Sequence, residues 1–142
     1  MQTVLKTVLS AVFAIGLATA AQADLAPLEI EGATTVDADG VIELIERHPT
    51  LVILDNRNQA DFDAGRIEGA VRLIDTDING EADLAAVVPT KDTPVLFYCN
   101  GLRCGRAANA VVKAVSYGYG NVYYYALGME EWREKSLPLV AW

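Results

Sequence analysis

The chain has one histidine, His48, and two cysteines, Cys99 and Cys104. A structural zinc site takes four ligands, and a lone cysteine pair without a neighbouring histidine falls short. No metal is therefore expected. Basic residues are also scarce. Against 19 Asp and Glu stand 11 Lys and Arg, a formal charge of -8. That balance argues against nucleic acid and anionic membrane surfaces as partners. Low-complexity tracts and internal repeats are absent. So is any apolar run of spanning length after residue 23.

What is present begins with a targeting pattern. Lys6 precedes an apolar run over 7–18, and Ala21-Gln22-Ala23 fits the small-x-small cleavage rule. Residues 1–23 read as a secretory signal peptide cut after Ala23. The run falls short of the roughly 20 residues of a membrane anchor, and no basic stop-transfer cluster follows. Residues 24–142 then form one exported domain, periplasmic or secreted, without a membrane segment. It is long enough for a real core. No exposed apolar helix stripe is obvious, so a monomer is expected.

Hydrophobic patterning orders this domain. Residues 24–32 read as a mobile or edge-lying leading segment, and Thr35-Val36 as a short strand. Asp37 can cap a helix over 38–47 with Val41, Ile42, Leu44 and Ile45 on its apolar face. His48-Pro49 ends it, with His48 as a surface terminator. The apolar run opening 51–57 has the signature of a strand buried on both faces. A helical turn over 61–64, a short strand over 69–75, and a loop with a brief helix over 78–88 follow. Residues 94–99 read as a second buried strand. A helix over 105–117 turns Ala107, Ala108, Val111, Val112 and Val115 to the core. The last strand spans 121–126, with alternate tyrosine rings on opposite sides. A closing helix spans 130–134. Strands alternating with helices build an α/β fold, a mostly parallel sheet of five strands with helices on both faces. Ligands in such sheets sit beyond the carboxyl ends of the strands. Asp55 and Cys99 both stand at such ends.

Cys99 ends a buried strand, and the chain then turns through Asn100-Gly101-Leu102-Arg103-Cys104 into a helix near Gly105. Such a turn can aim successive backbone N–H groups at one spot. The helix adds a positive dipole end, and Arg103 and Arg106 add full charges. All three favour a thiolate, which makes cysteine a working nucleophile. The same cradle suits an anionic substrate or a persulfide. The alternative is plain. Two cysteines in an exported chain commonly form one structural disulfide, although a bridge over so short a loop adds little stability.

Three segments, "LDNRNQADFDAGRIEGA", "VLFYCNGLR" and "AVSYGYGNVYYYALGMEEW", resemble the rhodanese-like sulfurtransferases in content, order and spacing. The resemblance covers nearly all of 24–142. It implies that Cys99 takes sulfane sulfur from a small anionic donor such as thiosulfate, becomes a persulfide, and passes the sulfur to a thiol or cyanide-like acceptor. It implies loop and anion-binding roles for Asn100, Gly101, Leu102, Arg103, Cys104, Gly105 and Arg106. Asp55 and Arg57 become supporting residues that hold the loop base through hydrogen bonds and an ion pair. Gly128 and Trp132 are packing residues. No cofactor is implied. A binding module without turnover, serving an exported oxidoreductase system through a protein partner, is the non-enzymatic alternative.

The loop departs from the common family pattern. That pattern has Gly three and Arg, Lys or Thr five positions after the cysteine. Here Gly101 comes at two, Arg103 at four, and Cys104 at five. A short exported subgroup with a Cys-Asn-x-x-Arg loop fits better. The family's Gly-His-Ile-Pro-Gly is Gly65-Arg66-Ile67-Glu68-Gly69. The Cys-x5-Arg spacing of cysteine phosphatases is missed. Cys104 has two readings besides metal. It is an inert small residue, or a resolving cysteine that attacks a persulfide or sulfenate on Cys99 and forms a disulfide. The second needs the two Cα atoms within about 7 Å.

Overall fold

The computed structural model describes residues 24–142. The expected signal peptide, 1–23, lies outside the described residues. The elements run β1 (Thr34–Thr35), α1 (Ala38–Arg47), β2 (Val52–Asp55), α2 (Gln59–Ala64), β3 (Val71–Arg72), a 3-10 turn (Asp75–Asp77), α3 (Glu81–Ala85), β4 (Val95–Tyr98), α4 (Arg106–Ser116), β5 (Val122–Tyr125) and α5 (Gly128–Glu134). The five strands form one sheet in the order β1-β5-β4-β2-β3. Every pairing is parallel. β4 and β2 are thus interior, which explains their uninterrupted apolar sequence.

Side-chain alternation divides the core. Leu54, Phe97 and Tyr124 meet Ala107, Ala110, Val111 and Ala114 of α4 on one face. Ile53, Leu96, Tyr98 and Tyr125 meet Val41 and Leu44 of α1 and Met129 and Trp132 of α5 on the other. Tyr124 and Tyr125 therefore point to opposite sides, as the strand period requires. Asp37 caps α1, its Oδ1 accepting from the Gly40 N–H at 2.9 Å. His48 ends it and donates its N–H to the Leu44 carbonyl.

Several expected details differ. Val112 is 55% exposed, while Ala110 and Ala114 are fully buried. Branched side chains suggested the core stripe, but the buried line of α4 is made of alanines around the single valine Val111. Ile45 is 42% exposed, outside the buried stripe of α1. β3 has only two residues of the seven expected, because the chain leaves the sheet edge for the 3-10 turn. The leading segment is held to the body. The Ala26 N–H donates to the Leu102 carbonyl at 2.7 Å, and Thr35 Oγ1 donates to the Leu28 carbonyl at 2.7 Å. Among the described residues, no helix is long and apolar enough to cross a membrane.

Leu54 is fully buried and Val112 is not. Leu54→Ala is expected to cost about 2–5 kcal/mol of unfolding free energy. Val112→Ala is expected to stay within about 0.5 kcal/mol. Urea denaturation of the two variants checks the assignment of the core face.

Candidate active site

Cys99 follows β4 directly and is 2% exposed. Its side chain lies on the α4 face of the sheet. A loop follows, and the carbonyls of Cys99, Asn100, Gly101 and Leu102 are captured one after another. The Met129 N–H donates to the Cys99 carbonyl at 3.0 Å, and the Glu130 N–H to that of Asn100 at 2.8 Å. The Cys104 N–H donates to the Gly101 carbonyl at 3.0 Å, and the Ala26 N–H to that of Leu102. The amides of residues 100–103 have no acceptor among the described residues. Carbonyls are held and donors are left open. That asymmetry is the one an anion-binding concavity requires.

Gly128 permits it. The first turn of α5 approaches the end of β4 so closely that a Cβ on Gly128 would collide with the Cys99 carbonyl. Its φ of 57° is also in the left-handed region. The packing role expected of Gly128 is thus a close backbone contact with Cys99.

Cys99 and Cys104 are joined as a disulfide, with Cα atoms 6.2 Å apart. This is within the reach required above. Beside the loop lies an open cleft of about 700 Å³, lined by Asn100, Gly101, Arg103, Cys104, Glu130, Arg133 and Glu134. Two arginines and two glutamates line it, so their formal charges balance. Arg103 and Arg106 are both exposed, and only Arg103 lines the cleft. Gly105 sits between them at the N-cap of α4.

Asp55 and Arg57 are fully buried and paired, with Arg57 Nη2 donating to Asp55 Oδ2 at 2.6 Å. Arg57 also donates to the Gly65 carbonyl at 2.7 Å. Burial alone would lower the guanidinium pKa, but the hydrogen bond and charge of Asp55 outweigh it and hold it raised. Neither side chain of the pair hydrogen-bonds to residues 100–104. The pair acts on β4 instead, because Tyr98 Oη donates to Asp55 Oδ2 at 2.6 Å. Tyr98 is the residue before Cys99 and points to the other face of the sheet. The pair therefore fixes the strand end from behind. Asp61 does hydrogen-bond to the loop, its Oδ2 accepting from Asn100 Nδ2 at 3.0 Å.

Asp61, Tyr98, Ala26 and Glu130 were not foreseen as site residues. An N-cap pattern, Asn58 three residues before Asp61, was readable, and Asn58 Oδ1 accepts from the Asp61 N–H at 2.8 Å. Its long-range contact to Asn100 left no sequence trace. Arg66, standing in the family's histidine position, is buried. Its guanidinium carbon lies 4.5 Å from the centre of the Phe62 ring and 4.4 Å from that of Trp142. It anchors the C-terminal tail rather than the site.

The chain belongs to the rhodanese-like domain family, whose sequence model matches residues 37–135. Across 90 residues it is 32% identical to the protein YibN of Escherichia coli K12, covering 63% of this chain. The chain spans only 60% of the length of that curated relative. Among solved structures it is similar to the human single-domain sulfurtransferase TSTD1. The TM-score is 0.58, with 25% identity over 73% of this chain and 98% of that one. It shares its fold with the polysulfide-sulfur transferase homodimer of Wolinella succinogenes. There the TM-score is 0.62, with 21% identity over 78% of this chain and 80% of that one.

Arg57→Met leaves Asp55 buried without its partner, at an expected cost of about 3–5 kcal/mol in urea denaturation. Burial first, then the charge and hydrogen bond of Asp55, pushes the Tyr98 phenol far above its ordinary 10.0. The folded protein therefore holds Tyr98 neutral where the unfolded chain ionises. The resulting stability is complete below pH 10 and is lost as pH rises above it. Tyr98→Phe is expected to be less stable at pH 7 by about 1–3 kcal/mol. Its loss of stability between pH 9 and 11 should be shallower than that of the wild type. Denaturation midpoints across that range measure both effects.

Proposed function

We propose that this chain is an exported sulfurtransferase that carries sulfane sulfur on Cys99. The observation that carries the reading is the loop after Cys99, with its carbonyls tied and its amides open. In the reduced protein the Cys99 thiolate attacks the sulfane sulfur of thiosulfate. The new bond joins Cys99 Sγ to that sulfur, the old sulfur–sulfur bond breaks, and sulfite leaves with its electron pair. A thiol or cyanide then takes the outer sulfur and returns the thiolate. The loop amides hold the persulfide anion, and Arg103 at the cleft draws in the anionic donor. Sulfur transfer named for the human and Wolinella proteins supports this chemistry on this fold.

The Cys99–Cys104 bridge favours a second reading, a thiol-disulfide protein of the periplasm. For transfer to begin, an external dithiol must first open that bridge, becoming oxidised itself. The two readings separate on sulfite release from thiosulfate. Reduced wild type and Cys104→Ala are expected to release sulfite, and Cys104→Ala to yield thiocyanate when cyanide is added. Oxidised wild type is expected to do neither until a dithiol is supplied. Cys99→Ala should lose at least 100-fold in any state, as loss of a covalent nucleophile does. Equal sulfite release from Cys99→Ala and wild type would sink the proposal. No sulfite from any form would leave the redox protein or an accessory binding module.

A further inference from the structure

The Cys99–Cys104 bridge carries a consequence for the product of the reaction. We infer that Cys104 resolves the Cys99 persulfide internally, so that the reduced protein converts sulfane sulfur to hydrogen sulfide and closes its own disulfide. The inference rests on persulfide formation at Cys99 as proposed above.

Forming the bridge and resolving the persulfide need the same approach, Cys104 Sγ to Cys99 Sγ. The loop backbone already permits it, with the Cα atoms 6.2 Å apart and the Cys104 N–H tied to the Gly101 carbonyl. The attacking thiol is therefore delivered by the loop. Delivery of this kind makes a bimolecular step effectively unimolecular, a large advantage over an acceptor from solution. Access sharpens the contrast. Cys99 is 2% exposed in the bridged protein, and Cys104 lies on the cleft side of it. An outside acceptor must enter past Cys104.

Charge favours the same outcome. Cys104 lies two residues before α4, an 11-residue helix, and stands between Arg103 and Arg106 in sequence. Neither arginine has an ion-pair partner among the described residues. Their charges and the helix N-terminus favour a thiolate on Cys104 and the anion that departs.

The balance is simple. The Cys104 thiol first gives its proton to the outer sulfur of the persulfide anion, and the resulting thiolate attacks Cys99 Sγ of Cys99–S–SH. The Cys99–Cys104 bond forms, the bond to the outer sulfur breaks, and HS⁻ leaves with its electron pair. The two thiols are oxidised, and the sulfane sulfur is reduced to sulfide. Sulfide is less basic than an alkyl thiolate and so leaves readily. An external dithiol resets the protein, which becomes a dithiol-driven, sulfide-releasing enzyme.

The test is a single turnover. Wild type and Cys104→Ser are reduced, freed of reductant and mixed with one equivalent of thiosulfate. A parallel arm loads each with inorganic polysulfide and is read by intact mass. Wild type is expected to release one sulfite and one sulfide, ending about 2 Da below the reduced mass. Cys104→Ser is expected to release sulfite without sulfide and to stay about 32 Da heavy. Wild type that stays 32 Da heavy without sulfide overturns the inference and leaves the persulfide reading intact. Absence of sulfite overturns thiosulfate as donor, and the polysulfide arm still decides the fate of the persulfide. If neither protein gains sulfur in either arm, both readings fall.

Discussion

The site depends on where four consecutive carbonyls go. Cys99, Asn100, Gly101 and Leu102 each give their oxygen to a backbone N–H from elsewhere: two from α5, one from the loop's own end, one from the leading segment. Buried backbone polar groups must be paired, so these bonds fix the peptide planes. With the oxygens turned into the protein, the amides of the same loop are left without acceptors. Gly128 is what allows α5 to come close enough to take the first two. The open donors are thus a by-product of satisfying carbonyls.

The sheet separates two tasks. Cys99 projects to the α4 face, and Tyr98 beside it projects to the face of α1 and α5. The buried Asp55–Arg57 pair holds Tyr98 by its hydroxyl and so locates the end of β4 without entering the chemistry. Such a pair gains little over apolar packing in stability terms. Its value here is positional, since it joins β2, β4 and the Gly65 carbonyl at the site's edge.

Much of this was legible in the sequence, for physical reasons that also mark its limits. The apolar runs before Asp55 and Cys99 announced interior parallel strands, because only such strands are buried on both faces. The cysteine, the loop and the helix after it followed from local order. Two kinds of feature did not. Val112 was expected in the core and Ala110 was passed over, because hydrophobicity does not report how closely a helix approaches its sheet. Ala26, Asp61 and Glu130 join the loop through contacts between segments far apart in sequence. Two of these three contacts are made by backbone amides, which any residue would supply.

The central claim is that open loop amides stabilise negative charge on the sulfur of Cys99. The pH dependence of Cys99 alkylation in Cys104→Ser tests it most directly, since only one thiol then remains. The account predicts a midpoint below the ordinary thiol value of about 8.5, returning to that value when the chain is denatured. A folded-state midpoint at or above about 8.5 would contradict it, because burial without a cradle drives a thiol in that direction.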